Sequence, residues 1–202
     1  MTSTDAEIYD IISREIEGIR KIPIDHRIHD AIELIYEAVH QKGGKLVVSG
    51  IGKAGQIGHN IATTFSSTGT PAIFLHPSEA QHGDLGIIQK NDLLLLISNS
   101  GKTREILELI PLTKQLYPDI RSIAITGHPE NELGSQVDVC LSTGYPEEVC
   151  PLGLTPTTST TVMTVLGDVI VIMMMKKINF SKADYARRHH SGYLGQKSRN
   201  HE

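Results

Sequence analysis

The sequence predicts an α/β protein: a three-layer α/β/α sandwich around a five-stranded parallel sheet, with extra helices at the N-terminus. Three observations support this prediction. Short apolar runs without polar alternation are separated by longer helical patterns, which is typical of parallel strands covered by helices on both faces. Two amphipathic helical patterns precede the first run. The 202 residues, 39% apolar and 21% charged, suffice for one sizeable core.

The N-terminal segment contains two helical patterns, over residues 5–20 and 25–40. In the first, isoleucines recur at helical spacing, namely Ile8, Ile11, Ile12, Ile16 and Ile19. The second has the same spacing in Ile28, Ile32, Leu34, Ile35 and Val39. Gly43 and Gly44 end it. We therefore expect N-terminal helices over about 5–41, an α/β core over about 45–178 and a polar tail over about 180–202, all in a single domain.

Five apolar runs predict the strands, at residues 46–48, 72–75, 93–97, 122–126 and 137–141. The helices between them are expected from the loop after the first strand to Phe65, over 103–116 and over 159–177. The stretch 162–175 is the most apolar. It contains Thr164, Gly167 and Asp168 and is too short and too polar to span a bilayer, which indicates a buried core helix.

Composition excludes several classes of function. A net charge of −4 without a basic patch disfavours a nucleic-acid partner. The two cysteines, Cys140 and Cys150, have no metal-like spacing and predict no disulfide framework, as in a reducing cytoplasm. Cys150 is expected to be buried, with no neighbour in sequence that would lower its pKa. The N-terminus lacks a secretory signal, so we expect a cytoplasmic protein without a membrane partner.

The third strand leads into a hydroxyl-rich loop, residues 98–103, and a helix begins near Glu105. Free N–H groups and the helix dipole at such a junction favour an anion, and hydroxyls add donors. The candidate phosphate ligands are Ser49, Ser98, Ser100 and Thr103, with the backbone N–H groups of residues 101–103. Because no Walker lysine-serine pair is present, the loop predicts a small phosphorylated metabolite rather than ATP.

The loop after the first strand, residues 50–55, satisfies the G-x-G-x-x-G pattern of dinucleotide sites. However, the next strand is followed by His76 and Pro77 rather than by the acid that would bind a ribose, and the first acid is Glu79. Two other interpretations stay open. The glycines can serve a tight turn alone, or Lys53 can reach a bound anion or a sugar oxygen.

Several other polar residues allow both a functional and a structural interpretation. Glu105 is a candidate base, but an acid in a first helical turn is also favoured by the helix dipole. Glu148, beside Glu147, is a candidate carboxylate or a solvated loop acid. The hydroxyl cluster 155–160 can close a site or cap a helix.

The sequence contains ten histidines, so each alone is weak evidence. His82 lies in a short polar segment and can be a turn residue. His189 and His190 lie in the polar tail, where imidazoles that titrate near neutral pH could move protons or simply face water.

Six segments run in the same order as in a known family: 50–58, 66–71, 76–86, 97–101, 148–160 and 189–195. On these motifs the chain resembles the sugar isomerase (SIS) domains, and more narrowly the arabinose-5-phosphate isomerases of the Kdo pathway. The segments with E-A-x-H-G-D-L-G and C-P-L-G-L-x-P-T-x-S-T are the more specific. The resemblance implies a flavodoxin-like SIS fold.

The resemblance further implies an aldose–ketose isomerase that interconverts D-ribulose 5-phosphate and D-arabinose 5-phosphate through an enediol and supplies Kdo for lipopolysaccharide or capsule. It implies a homotetramer with active sites shared between subunits, and no cofactor or required metal. The catalytic residues that it selects are Lys53, Glu105, Glu148, His189 and His82. The substrate-binding residues that it selects, together with the loop analysis, are Ser49, Gly52, Ser98, Asn99, Ser100, Gly101, Thr103, Thr155 and Ser159.

The chain departs from the family pattern in three places. Relatives continue into a pair of CBS modules, so we expect a catalytic domain alone, with any feedback, for example by a downstream Kdo derivative, acting near the catalytic pocket. Lys102 replaces a common Glu. The tail has two adjacent histidines; aligning back from Leu194 and Gly195 selects His189 over His190.

Two other functions stay open. The chain could be another SIS isomerase, acting on a hexulose 6-phosphate or on sedoheptulose 7-phosphate. It could also be a non-catalytic sugar-phosphate sensor, although a sensor could lose Glu105 and Glu148, and both are present.

Overall fold

The computed structural model describes residues 2–199. Its strands are β1 (Leu46–Gly50), β2 (Ala72–Phe74), β3 (Leu93–Ile97), β4 (Arg121–Thr126) and β5 (Val139–Ser142). Its α-helices are α1 (Ser3–Arg20), α2 (His26–Ile35), α3 (Gly52–Ser67), α4 (Pro77–Ala80), α5 (Arg104–Leu116), α6 (Glu132–Gln136), α7 (Thr158–Lys177), α8 (Lys182–Arg188) and α9 (Gly192–Arg199). Residues 200–202 of the predicted tail lie outside the described residues.

The five strands form one parallel sheet in the order β2-β1-β3-β4-β5. This confirms the predicted fold class. The chain order reverses between β1 and β3, and ligands of such sheets bind at that point, beyond the carboxyl ends of the strands. The loops after β1 and β3 therefore flank the crevice of the sheet.

The central strands are buried on both faces, which explains their continuous apolar sequences. In β3, Leu93, Leu95 and Ile97 belong to one core cluster, and Leu94 and Leu96 belong to the other. The first cluster also includes apolar residues of α2, α3 and α7, and the second includes those of α5. Helices thus cover both faces of the sheet in three layers.

Helix α7 was expected to be a core helix, and Val162, Leu166, Ile170 and Met174 are all buried. By length and composition it is the one helix within residues 2–199 that could cross a membrane. However, half of its most apolar 18-residue stretch is buried inside the structure. A core helix of a soluble protein has the same properties.

The N-terminal helices form as predicted, but they differ in burial. In α1 only Gly18 is buried, and the isoleucine stripe is about half exposed, because this face of the helix lies outside the core. Helix α2 buries its apolar face and continues into a π-helical segment, Tyr36–Gln41.

Most predicted boundaries differ from the structure by one or two residues, and the tail contains helices that were not predicted. The fifth strand begins at Val139 rather than at residue 137, because the Asp138 carboxylate accepts hydrogen bonds from the Ser122 backbone and from Arg121. The polar tail contains the two helices α8 and α9, which contact each other.

Candidate functional site

A cavity of about 330 Å³ lies at the carboxyl edge of the sheet, between the loops after β1 and β3 and the N-terminus of α7. Six of the predicted site residues line it: Lys53, Ser98, Asn99, Ser100, Thr103 and Ser159. The chain positions of these residues span about half of the sequence, and the parallel sheet brings them together.

The hydroxyl loop satisfies much of its own hydrogen bonding. The hydroxyls of Ser98 and Thr103 are 2.8 Å apart. The Gly101 N–H donates to the Ser98 hydroxyl at 3.1 Å, and the Lys102 N–H donates to the Ser100 hydroxyl at 3.2 Å. Two of the amides expected to bind phosphate are therefore engaged within the loop. The N–H groups of the first turn of α5 remain as donors toward an anion.

Gly101 has to be glycine for two reasons. Its φ is +63°, and a Cβ atom there would lie 1.8 Å from the Asn131 side-chain nitrogen. Asn131 donates that nitrogen to the Ser100 carbonyl at 3.0 Å and to the Thr126 hydroxyl at 2.9 Å. Asn131, at the start of α6, thus supports the loop by hydrogen bonds. The sequence analysis missed this role. The only signal in the sequence was a possible helix N-cap.

The glycine loop allows helix α3 to approach β1 closely. A Cβ on Gly50 would lie 2.8 Å from the Ala54 carbonyl oxygen, and one on Gly55 would lie 2.8 Å from that of Gly50. Gly52, with φ +59°, turns the chain into α3. This turn places Lys53 at the cavity.

Glu148 lies in the loop before α7, and its carboxylate accepts four hydrogen bonds from the first residues around that helix. Thr157 donates its N–H at 2.7 Å and its hydroxyl at 2.9 Å. Ser159 donates its N–H at 3.2 Å and also its hydroxyl. Burial raises the pKa of Glu148, but the hydrogen bonds from Ser159 and Thr157 outweigh it, and the pKa lies below its ordinary value. Glu148 is therefore ionised at neutral pH; it does not itself line the cavity, but it is hydrogen-bonded to Ser159, which does.

Other predicted site residues do not line this cavity. The Ser49 hydroxyl is fully buried and donates to the Leu75 carbonyl at 2.8 Å, which joins β1 to the end of β2. Glu105 is half-buried in the first turn of α5. Thr155 is exposed in the loop before α7.

The two selected histidines lie outside this cavity. His82 is exposed in the turn after α4. His189 ends α8, where its ring stacks on Tyr185 at 3.6 Å between centroids and its Nδ1 lies 3.0 Å from the Tyr185 carbonyl oxygen. His190 is exposed beside it.

The expectation for Cys150 was wrong. The thiol is only partly buried, and the Thr155 hydroxyl together with the N–H groups of Thr155, Leu154 and Leu152 lowers its pKa to about 6. The loop folds back on itself, with the Gly153 N–H donating to the Cys150 carbonyl at 2.8 Å. The donors are close to Cys150 in sequence, but they reach its sulfur because the loop folds back, and the sequence did not show that fold. Within residues 2–199, no group of three or more His, Cys, Asp or Glu side chains is arranged to hold a metal ion.

Comparisons with known proteins agree on one family. Residues 39–173 match the SIS domain profile. The chain is 45% identical over 187 residues to the arabinose 5-phosphate isomerase KdsD of Yersinia pestis, covering 93% of this chain and 56% of the relative. It is 45% identical over 199 residues to the KdsD of Francisella tularensis, covering 98% and 60%. The chain thus spans a little over half the length of the curated relatives it matches.

This chain also covers the full length of two solved structures that it resembles. One is a putative phosphosugar isomerase involved in capsule formation from Bacteroides fragilis, with 59% identity, a TM-score of 0.93 and 95% of this chain covered. The other is a protein of Escherichia coli CFT073 in complex with arabinose 5-phosphate, with 35% identity, a TM-score of 0.83 and 94% of this chain covered.

Proposed function

This chain belongs to the SIS domain family, and from that premise we propose that it interconverts D-ribulose 5-phosphate and D-arabinose 5-phosphate. The observation that carries the proposal is the cavity in which the hydroxyl loop, Lys53 and the Glu148-bound Ser159 meet. The arabinose 5-phosphate isomerases that it resembles, and the arabinose 5-phosphate complex of its structural relative, support this substrate.

We propose that the phosphate binds at the hydroxyl loop. The Ser100 and Thr103 side chains face the cavity, and the helix dipole of α5 favours a dianion there. Anchoring the phosphate would bring carbons 1 and 2 of the sugar toward Lys53 and the start of α7.

In the proposed reaction, a base removes a proton from carbon 1 of the ketose to give a cis-enediol. The proton returns to carbon 2, while a proton moves from the oxygen on carbon 1 to the oxygen on carbon 2. Glu148 is our candidate for the base because its carboxylate is ionised at neutral pH, and Glu105 is the alternative. Lys53 would stabilise the negative charge that develops on the oxygen.

The two histidines enter the proposal as groups supplied by neighbouring subunits. His82 is exposed and His189 lies on α8, so neither completes the cavity of its own subunit. We therefore propose a homotetramer with shared sites, in the cytoplasm, where it would supply Kdo. The expected inhibition by a downstream Kdo derivative is tested by adding that compound to the assay, and a flat dose response would dismiss it.

The first experiment offers the purified protein ribulose 5-phosphate, hexulose 6-phosphate and sedoheptulose 7-phosphate separately. We expect arabinose 5-phosphate from the pentose phosphate and much slower turnover of the other two. Turnover of a longer sugar alone would favour another SIS isomerase, and no turnover of any would favour a sensor.

The second experiment replaces the proposed base by Glu148→Gln. We expect kcat to fall roughly 10²–10⁴-fold, because an amide cannot accept the proton, while the affinity for inorganic phosphate changes little. Glu147→Gln is the matched control, since Glu147 is exposed and adjacent. Equal losses of kcat and phosphate affinity would indicate that Glu148 only supports the loop.

A further inference from the structure

The peptide unit that joins Glu148 to Val149 is held at both of its polar atoms. On one side, Nη2 of Arg14 donates to the Glu148 carbonyl oxygen at 3.1 Å. On the other, the Val149 N–H lies 3.2 Å from the hydroxyl oxygens of both Thr157 and Thr158. The plane next to the Glu148 Cα is therefore fixed from two directions.

The two hydroxyls each serve one carboxylate. A hydroxyl has a single hydrogen, so a threonine that donates to a carboxylate has to accept from an amide through its lone pairs. Thr157 donates to Glu148 Oε2 at 2.9 Å, and Thr158 donates to Glu15 Oε1 at 3.1 Å. Glu15 thus determines the direction in which the Thr158 hydroxyl accepts from Val149.

Helix α1 makes these contacts although it is otherwise poorly buried. Its single buried residue is Gly18, and a Cβ there would lie 2.5 Å from Cγ2 of Thr158. Arg14 and Glu15, one turn earlier, therefore reach the Glu148 loop from a helix that is packed directly onto Thr158.

The Glu15 carboxylate is costly for the fold. Its second oxygen, Oε2, is buried, with no hydrogen-bond partner among the described residues. Leaving such an acceptor unsatisfied destabilises the folded state. Groups that break local rules of stability are expected at functional sites.

From these contacts we infer that Arg14 and Glu15 are positioning residues for the Glu148 carboxylate, and that helix α1 belongs to the catalytic machinery of this isomerase. The inference rests on the proposed function in so far as Glu148 acts on the substrate. Neither residue touches the cavity; each acts through the Glu148–Val149 peptide unit.

The test compares Glu15→Met, which removes the acceptor, with Glu15→Gln, whose amide oxygen still accepts from Thr158. We expect Glu15→Met to lower kcat on the order of tenfold with little change in KM for ribulose 5-phosphate, because the base is displaced while the phosphate site is intact. Glu15→Gln should restore most of the activity. Glu17→Met is the matched control, since Glu17 is exposed on the same helix and its carboxylate pairs, within residues 2–199, with Arg20 alone.

A second measurement does not depend on turnover. The Glu148 carboxyl is titrated by ¹³C NMR in the full chain, with Glu148→Gln used for assignment. If Glu15 holds the geometry, Glu15→Met loosens the donors on Glu148, and its pKa rises toward the ordinary value. If Glu15 acted only through its charge, removing a neighbouring negative charge would lower the pKa instead. Arg14→Lys, which keeps the positive charge but changes the donor to the Glu148 carbonyl, tests the other contact and should also raise the pKa of Glu148.

Three results for Glu15→Met would each overturn the inference. They are an unchanged kcat, a fall in the pKa of Glu148, and a simultaneous decrease in Tm, kcat and phosphate affinity. If the unmodified protein fails to turn over ribulose 5-phosphate, the proposed function fails, and the titration still decides whether α1 positions Glu148.

Discussion

The Asn131 side chain connects the proposed phosphate loop to the adjacent strand and helix. Its nitrogen donates to the Ser100 carbonyl and to the Thr126 hydroxyl, and its oxygen accepts from the Gly134 N–H at 2.8 Å as the N-cap of α6. The Thr126 hydroxyl in turn donates to the Asn99 carbonyl at 3.1 Å. Asn131→Ala removes all three Asn131 contacts at once.

The expected loss of stability in Asn131→Ala follows from these contacts. Each hydrogen bond contributes a net stabilisation of roughly 0.5–1.5 kcal/mol, and loss of an N-cap costs about 1 kcal/mol. The cap bond is one of the three, so we expect Asn131→Ala to lower the free energy of unfolding by about 3 kcal/mol. For a chain of this length that corresponds to a decrease in Tm of roughly 6–12 °C. Because the loop loses its support at Ser100, KM for ribulose 5-phosphate should rise roughly tenfold, equivalent to about 1.4 kcal/mol.

The assay combines calorimetry with steady-state kinetics at a temperature where the variant is fully folded. Asn91→Ala is the matched control, because among the described residues the Asn91 side chain makes one hydrogen bond, to the Lys42 carbonyl, and Asn91 precedes β3 at the opposite edge of the sheet. An unchanged Tm would refute the hydrogen-bond network. A lower Tm with unchanged KM would refute the assignment of the loop as the phosphate site.

Three further predictions concern single groups. Ser159→Ala removes a hydrogen-bond donor from the Glu148 carboxylate and should raise its pKa. The lowered pKa of Glu148 stabilises the folded state at pH values above the pKa of this group in the unfolded chain, and this stabilisation is lost as the pH falls through the folded-state pKa. Acid unfolding of the variant should therefore begin at a higher pH. Alkylation of Cys150 by iodoacetamide should show a pH midpoint about 6, whereas Cys140, whose pKa is raised by burial, should react only at high pH. Lys53→Met should lower kcat roughly 10²-fold through loss of charge stabilisation.

Each of these predictions has a control in the same chain. Thr164→Val, on the same helix as Ser159, should leave acid unfolding unchanged, because the Thr164 hydroxyl donates to the Thr160 carbonyl in the preceding turn and not to Glu148. Thr155→Val should raise the alkylation midpoint of Cys150, and an unchanged midpoint would contradict the role of that hydroxyl. Lys102→Met should retain activity, since Lys102 is exposed and outside the cavity lining.

Continuous apolar runs predicted the strands, and helical periodicity predicted the five longer helices, but the short helices α4, α6, α8 and α9 were not predicted. Runs such as Leu93–Ile97 are apolar on both faces because helices cover both sides of the sheet, so a continuous apolar run indicates a strand that is buried on both faces. The same reasoning misjudged the extent of burial in α1, where a regular isoleucine stripe stays about half exposed. Spacing predicts a helix, but it does not show what covers the apolar face.

The hydroxyl loop was predictable because strand, loop and helix are consecutive in the chain. The parallel sheet then brings Lys53 and Ser159 to the same cavity. The placement of His82 and His189 away from this cavity was not predictable, because no local pattern reports the path of a polar segment across the surface.

The strands, the longer helices, the parallel sheet, the hydroxyl loop between β3 and α5 and the family were predicted from the sequence alone, since they depend on apolar runs, local periodicity and contiguous motifs. Only the tertiary structure revealed the donors on Glu148, the support of the loop by Asn131 and the contact of Arg14 with a peptide 134 residues away. The physical reason is that a hydrogen bond depends on the distance and direction between two atoms, and folding sets both without leaving a periodic trace in the chain.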